Sequence, residues 1–167
     1  MISCSKTFGP YSTIHRAWRA KSHCHFLHGY GKKCRITFTK NYDGIAVSDS
    51  KILGENGWII DFGGMEKIKN WFAENWDHKA ILAYDDPLLL SKGDQPCLAD
   101  QLKEIGALDY VILPKEFKNS TEHHCLWVHD AISRVITSEY NEDARAKVLI
   151  ENVKIYEHEF NEAAFYS

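Results

Sequence analysis

The sequence has little of what nucleic-acid-binding and membrane-spanning proteins require. Its 20 Lys and Arg against 23 Asp and Glu give a formal net charge of -3, so it lacks the overall positive field that holds nucleic acid or an anionic membrane. No apolar run is long enough to cross a bilayer, and the first residues lack the apolar stretch of a signal peptide. We therefore expect a soluble, cytoplasmic protein.

The cysteines do not form the even, regularly spaced set of a disulfide framework. They are five in number and scattered along the chain, which suits a reducing compartment. Repeats, low-complexity tracts and Pro/Gly/Ser-rich linkers are also missing. With 44% hydrophobic and 13% aromatic residues, the chain can bury an ordinary globular core. We expect residues 1–167 to form one domain.

Several stretches have the composition or periodicity of β-strands. Residues 34–39 alternate apolar and polar side chains, which is the period of a half-buried strand, and turn residues follow at 41–44. Residues 3–18 and 148–156 are rich in strand-forming side chains, and we expect Gly9-Pro10 to break the first of these strands. A short buried strand is predicted at 110–113. Together these stretches indicate an antiparallel sheet rich in hairpins.

Helical signals occur between these strands. Apolar residues recur at helical spacing in 65–72, before Asp77-His78, and again in 128–135, where residues 119–122 offer capping side chains. A shorter helix is expected over 97–105, between Pro96 and Gly106. This order of elements predicts an α+β fold in which the helices pack on one face of an antiparallel sheet.

Residues 22–30 carry several potential metal ligands. If Gly29 lies in an extended strand, His28 and Tyr30 project from the same face, because strand side chains alternate. A neighbouring strand carrying His15 could close the site, and imidazole nitrogen is a good zinc ligand. The alternative interpretation is that these histidines are surface residues or hydrogen-bonded core residues of a hairpin.

Two further features could move protons or attack a substrate. The thiol of Cys24 becomes a usable base or nucleophile if nearby imidazoles or a metal lower its pKa, although buried thiols are usually inert. Asp77 and His78 form a carboxylate and imidazole pair that could relay protons near neutral pH. Because adjacent side chains rarely point together, a structural role is the competing interpretation of this pair.

Six short motifs, in a fixed order over residues 11–158, resemble those of one enzyme family. The segments are 11–15 (YSTIH), 24–30 (CHFLHGY), 57–62 (GWIIDF), 76–78 (WDH), 120–123 (STEH) and 156–158 (YEH). They are similar to the motifs F-S-A-A-H, C-x-x-x-H-G-H, G-M-V-x-D-F, L-D-H, P-T-x-E-N and x-E-T of the superfamily of 6-pyruvoyl-tetrahydropterin synthase and 6-carboxytetrahydropterin synthase. The resemblance therefore covers nearly the whole chain.

This resemblance implies a tunnelling fold, in which a four-stranded antiparallel sheet with two main helices assembles around an axis, commonly as a homohexamer with active sites between subunits. It implies a Zn²⁺ cofactor held by His15, His28 and, in the third ligand position, Tyr30. The catalytic residues would be Cys24, Asp77 and His78. The pterin would be bound by Thr121, Glu122 and Glu157, since the Glu157 carboxylate can accept two hydrogen bonds from the guanidine-like edge of the ring.

The implied reaction converts 7,8-dihydroneopterin triphosphate to a 6-substituted tetrahydropterin with loss of triphosphate. We expect the product to be 6-carboxytetrahydropterin, on the route to queuosine-type deazapurines. The alternatives are 6-pyruvoyl-tetrahydropterin synthase and a non-catalytic paralogue that binds a pterin or purine. A basic group at Arg16, Arg19, Lys21, Lys32 and Lys33 suits the triphosphate, but an ordinary hairpin could show the same basic rim.

The sequence departs from the family pattern in two places. The third histidine is replaced by Tyr30, and a phenol with an ordinary pKa near ~10 is a poorer zinc ligand unless the metal deprotonates it. Zinc would then be held by Tyr30, by His25 or by water, or the metal has been lost. Residues 83–118 are also longer than in compact members, and this insertion could reshape the substrate entrance or an oligomer contact.

Overall fold

The computed structural model describes residues 3–17, 25–42, 58–63, 65–139, 146–158 and 161–167, and gives the backbone alone for 13–17, 25–31, 41–42, 146, 157–158 and 161. In chain order the elements are β1 (Ser3–Ala17), β2 (His25–Tyr42), α1 (Glu66–Asn75), β3 (Ala80–Leu82), α2 (Leu98–Glu104), β4 (Tyr110–Ile112), α3 (Thr121–Glu139), β5 (Ala146–His158) and β6 (Asn161–Tyr166). A 3₁₀ turn spans Pro87–Leu89.

The strands form one sheet in the order β4-β3-β1-β2-β5-β6. β1 pairs with β2, β2 with β5 and β5 with β6, all antiparallel. On the other side of β1, the short strands β3 and β4 are added in parallel. The predicted four-stranded antiparallel sheet is therefore confirmed. Two short parallel strands extend it, of which the sequence predicts only β4.

The core face of the sheet follows directly from the alternation in β2. Cys34, Ile36 and Phe38 are at most 1% exposed, because every second side chain of a strand points to the same face. On β5 the buried pairs are Val148 with Ile150 and Val153 with Ile155. The buried positions change from even to odd residue numbers where the register shifts between Thr37↔Asn152 and Phe38↔Ile150. A β-bulge thus keeps both halves of β5 facing the core.

Helices α1 and α3 complete the core. Both bury their apolar stripes, and the ring of Phe72 on α1 stacks at 5.2 Å between centroids on Phe8 and on Tyr11 of β1. Burial of such a helical stripe supplies most of the stability of a helix of this length. The helices predicted near 65–72, 97–105 and 128–135 are confirmed. In the described part of the chain, no helix is both long and apolar enough to cross a bilayer.

The expected break of β1 at Gly9-Pro10 is wrong, because β1 continues through a bulge. The register passes from Phe8↔Cys34 to Tyr11↔Lys32, so two residues of β1 lie opposite one residue of β2. Gly9 has φ +103°, and a Cβ there would lie 2.7 Å from the carbonyl oxygen of Lys32. Only glycine fits this close approach of two backbones.

The insertion at 83–118 packs on β3 and contributes β4, the strand at that edge of the sheet. Cys97 and Ala99 of the insertion form a small apolar cluster with Ala80 and Leu82 of β3. The carboxylate of Asp109 binds the ammonium groups of Lys79, beside β3, and Lys103 on α2, the latter at 3.0 Å. The strand β4 is less buried than predicted, since Ile112 is 49% exposed. The insertion is thus folded against the edge of the sheet, next to Asp77 and His78.

Candidate active site

The turn after α1 is attached to a single residue of β1. The Ser12 amide donates to the Asp77 carboxylate oxygen Oδ1 at 3.1 Å, and the His78 amide donates to the Ser12 carbonyl at 2.7 Å. Burial, the neighbouring Cys34 and the Asp77 carboxylate together raise the pKa of Tyr11, the residue before Ser12. The turn is therefore held three residues before His15 on the same strand.

Asp77 and His78 also contact each other, although they are adjacent in sequence. Their Oδ1 and Nδ1 atoms are 3.1 Å apart. His78 has φ +56°, a left-handed conformation that is costly for a residue with a Cβ and is often found at functional sites. This conformation lets the imidazole turn back to the carboxylate. A carboxylate on Nδ1 fixes the ring orientation and leaves Nε2 as the nitrogen that exchanges protons.

The backbone positions proposed for the metal lie beside this turn. His15 is paired with Leu27, and His28 with Ile14, so the two histidines are on neighbouring strands and offset by one residue. Between Tyr11↔Lys32 and Thr13↔Gly29 the register shifts. The shift leaves Ser12, which holds the Asp77–His78 turn, opposite both Tyr30 and Gly31. Bulges of this kind are over-represented next to active sites.

The side chains of the candidate ligands are outside the described part of the chain, as is all of Cys24. Among the side chains that are described, no group of three His, Cys, Asp or Glu could hold a metal. At the level of the backbone, positions 15, 28 and 30 lie on adjacent strand segments. Positions 15 and 28 are not a cross-strand pair, because 15 is paired with Leu27 and 28 with Ile14, so a regular ladder assigns them to opposite faces of the sheet. Neutral imidazoles are suitable zinc ligands, whereas the phenol of Tyr30 would have to be deprotonated by the metal to serve as the oxygen donor.

The proposed pterin-binding residues lie on two other elements. Thr121 and Glu122 begin α3. The segment before them reaches β3, where the side-chain Nδ2 of Asn119 donates to the Ile81 carbonyl at 2.7 Å. Ile81 is in turn the register partner of His15. Glu157, of which only the backbone is described, lies in β5 between Tyr156↔Glu162 and His158↔Asn161, where the register with β6 shifts.

The basic rim expected on β2 is not uniform. Lys32 is 1% exposed, so its assignment to an exposed triphosphate-binding rim is wrong. It shares the core face with Cys34 and Ile36, in the strand period that the sequence itself shows. Lys33 is exposed. The other basic residues of the predicted group have no described side chains.

With this geometry in place, comparison with known proteins decides the family. A family model described as 6-pyruvoyl tetrahydropterin synthase matches residues 4–167. The chain belongs to this family. Relatives include the 6-carboxy-5,6,7,8-tetrahydropterin synthases of Rickettsia typhi, 33% identical, and Rickettsia conorii, 32% identical, each over 87 residues. These matches cover 52% of this chain and 55% of each relative, so the chain spans about half the length of the curated relatives it matches.

Solved structures confirm the fold of the family. A protein of Wolinella succinogenes superposes with a TM-score of 0.66 at 16% identity, over 99% of this chain and 98% of that one. The 6-pyruvoyl tetrahydropterin synthase of Plasmodium vivax gives a TM-score of 0.60 at 15% identity, over 100% of this chain and 99% of that one. The chain therefore has the tunnelling fold that the sequence motifs predicted.

Two residues that help to position the candidate site could not be identified from the sequence motifs. Ser12 acts through its backbone, which no residue type reveals. Asn119 resembles a helix-capping residue in sequence, but its side chain bonds to Ile81 and to His124 instead. A cavity of about 520 Å³ in the insertion, lined by residues such as Leu88, Lys92 and Leu98, contains none of the candidate site residues. It is separate from the proposed site.

Proposed function

We propose that this family member is a lyase of the 6-carboxytetrahydropterin synthase type, which converts 7,8-dihydroneopterin triphosphate and water to 6-carboxy-5,6,7,8-tetrahydropterin, triphosphate and acetaldehyde. The observation that carries this proposal is the double hydrogen bond of the Asp77–His78 turn to Ser12. It joins a carboxylate and imidazole pair to the strand of His15, opposite Tyr30. The names of the Rickettsia relatives support the carboxy product.

In this proposal Asp77 and His78 form the proton-transfer unit, with Cys24 as the thiol partner. The Asp77 carboxylate accepts from Nδ1 of His78 and stabilises the ring when it is protonated. His78 then takes up and returns a proton at Nε2, which is the general acid and base role for which imidazole is suited near neutral pH. The exposed fraction of the His78 side chain is 81%, which leaves it accessible to a substrate.

The proposed metal is Zn²⁺, held by His15, His28 and the oxygen of Tyr30. When bound, zinc supplies Lewis-acid polarisation of the hydroxyl groups on the substrate side chain. Ring recognition is assigned to the Glu157 carboxylate, which can accept two hydrogen bonds from the pterin, and to Thr121 with Glu122 at the start of α3.

The proposal also covers the localisation, pathway and assembly of the protein. We assign the protein to the cytoplasm and to the synthesis of queuosine-type deazapurines, as a single domain over residues 1–167. It would assemble as a homo-oligomer, such as the hexamer implied by the family resemblance, with active sites between subunits. No nucleic acid or membrane partner is proposed, because the net charge of -3 supplies no general attraction to either.

The second candidate is 6-pyruvoyl-tetrahydropterin synthase, which makes another side chain from the same substrate. It is favoured by the description of the family model that matches residues 4–167. The third is a pterin-binding or purine-binding paralogue without turnover. It is favoured by Tyr30, which occupies the position of the third histidine in the motif.

Product identification separates the three candidates. Purified protein is incubated with 7,8-dihydroneopterin triphosphate, and the product is identified by mass. We expect 6-carboxytetrahydropterin, whereas the pyruvoyl product or unchanged substrate would reject the first assignment. The variant Cys24→Ala should lose turnover but retain the fold and pterin affinity, since only the reacting thiol is removed. Full activity in that variant would exclude the thiol from the mechanism.

A further inference from the structure

A buried side-chain pair lies between α3 and the strand next to His15. Asn119 is 8% exposed and His124 is fully buried. The Asn119 Nδ2 donates to the Ile81 carbonyl at 2.7 Å, and its Oδ1 lies 2.7 Å from Nε2 of His124. Because a carbonyl only accepts, the amide NH₂ must face Ile81, and Oδ1 must accept from His124. The hydrogen bonds therefore require a proton on Nε2 of His124.

This pair contacts two segments next to the proposed active site and flanks a third in the sequence. Ile81 is the register partner of His15, so Asn119 is bonded to the residue beside one proposed metal ligand. The ring of His124 packs edge-on against Trp76, at 5.5 Å between centroids and 83° between planes, and Trp76 directly precedes Asp77. In sequence, Asn119 and His124 enclose Thr121 and Glu122, the proposed pterin-binding residues.

Two other hydrogen bonds at this helix start are local. The His124 amide donates to the Ser120 carbonyl at 2.9 Å, and the Lys118 amide donates to Nδ1 of His123 at 3.2 Å. Such bonds satisfy the first turn of α3. They do not connect that turn to β3. The bond from Asn119 to Ile81 connects the start of α3 to β3, and the hydrogen bond from His124 holds the Asn119 side chain in place.

We propose that Asn119 and His124 are positioning residues, which hold the pterin-binding start of α3 at a fixed place relative to His15 and Asp77. This proposal rests on the proposed function, because it takes Thr121 and Glu122 to bind the pterin. The pair acts through its neighbours and touches no reacting atom. A buried side-chain hydrogen bond that also connects the start of α3 to β3 is a means of specifying one arrangement of these elements.

The first test measures affinity for 7,8-dihydroneopterin by fluorescence titration in Asn119→Ala, His124→Phe and the double variant. Each single change should raise Kd about tenfold, which corresponds to ~1.4 kcal/mol. The double variant should lose no more than either single one, because both changes remove the same connection. The matched control is Ile136→Val, which removes one methyl group from a fully packed position of the same helix and should leave Kd within about twofold.

The titration has a clear negative outcome. If both single variants bind 7,8-dihydroneopterin as the wild type does, while their stability falls as in a core variant, the pair is structural and the proposal is overturned. If the wild-type protein does not bind this pterin at all, the proposed function itself is wrong. A second measurement, which needs no ligand, then decides on the positioning role.

That second measurement is amide hydrogen exchange of the full-length protein. In wild type the Leu113 amide is bonded to the Leu82 carbonyl at 2.8 Å, and the His124 amide to Ser120, so these amides report on β3 and on the start of α3. Loss of the connection should speed exchange at residue 124 and at Leu113 together in Asn119→Ala and His124→Phe, and not in Ile136→Val. Unchanged exchange at either place would overturn the proposed connection between the two elements.

Discussion

His78 has the backbone conformation with most functional significance among the non-glycine residues that the structure describes. Its φ of +56° carries a cost of order 1–3 kcal/mol in general, and hydrogen bonds on both sides offset it. The His78 amide is bonded to Ser12, and the Ala80 amide to the Asp109 carbonyl at 2.7 Å. The strain is thus compatible with a stable turn that brings the imidazole to Asp77.

The charge of Asp77 can be tested by Asp77→Asn, which preserves the shape of the side chain. The amide oxygen can still accept from Ser12, so we expect the fold and the melting temperature to stay close to wild type. Turnover of 7,8-dihydroneopterin triphosphate should fall by on the order of 100-fold or more, because the charged imidazole loses its counter-ion. The measurement is kcat together with thermal unfolding.

The control for Asp77→Asn is Asp130→Asn on α3. It removes the same charge from an exposed ion pair with Arg134. Because surface ion pairs contribute little to stability, we expect little effect on stability. Turnover in that variant should equal the wild-type value. A similar loss of kcat in both variants, or full activity in Asp77→Asn, would contradict the assigned role.

At the scale of elements, the bulge of β1 makes a prediction about stability. Gly9→Ala would place a Cβ 2.7 Å from the Lys32 carbonyl at φ +103°. We expect a loss of roughly 1–3 kcal/mol in the free energy of unfolding, or more if the β1 and β2 pairing must shift. Urea denaturation measures it. Gly93→Ala is the control: its φ is +64° with open space around the Cβ position, so it should cost less. Equal losses would exclude the close backbone approach as the cause.

The insertion makes a prediction about acid stability. Hydrogen bonds from Lys79 and then Lys103 lower the pKa of Asp109 from 3.8 to about 2. A lowered folded-state pKa contributes stability above the unfolded value of 3.8, which is lost as the pH falls towards about 2. The free energy of unfolding, measured by urea denaturation from pH 6 to pH 2, should therefore fall more steeply in wild type than in Asp109→Asn. The variant lacks this contribution already at pH 6. Parallel pH curves for the two proteins would contradict this contribution.

The long elements could be predicted from sequence because their periodicity extends over many residues. The strand period of 34–39 and the helical period of 128–135 survive into β2 and α3. β3 has three residues, too few for a period, and β6 has no strong strand composition. The motifs also identify candidate site residues, but they do not show which contacts bring these residues together. Ser12 and Asp77 are 65 residues apart, and their contact depends on β1, α1 and the turn between α1 and β3 folding together.

At the scale of the whole molecule, three of the four register shifts in the described sheet lie at one end of it. Gly9-Pro10 on β1, Tyr30-Gly31 on β2 and Glu157 on β5 all lie at such shifts. A regular sheet would gain hydrogen bonds without them, so their concentration beside the candidate residues is typical of a functional site. The core below is closed by Trp76, which packs on both His124 and Trp127. The candidate residues therefore lie at the irregular end of a sheet whose core is packed with aromatic rings.

We propose that His15 and His28, from neighbouring strands, hold one zinc ion beside the Asp77–His78 turn. The most direct test is the zinc content of purified protein after equilibrium dialysis, measured by elemental analysis for wild type, His15→Ala and His28→Ala, with His123→Ala as the control histidine. We expect about one zinc per chain in wild type and in the control, and at least about tenfold weaker binding in the other two. Equal zinc content in all four proteins would contradict the account.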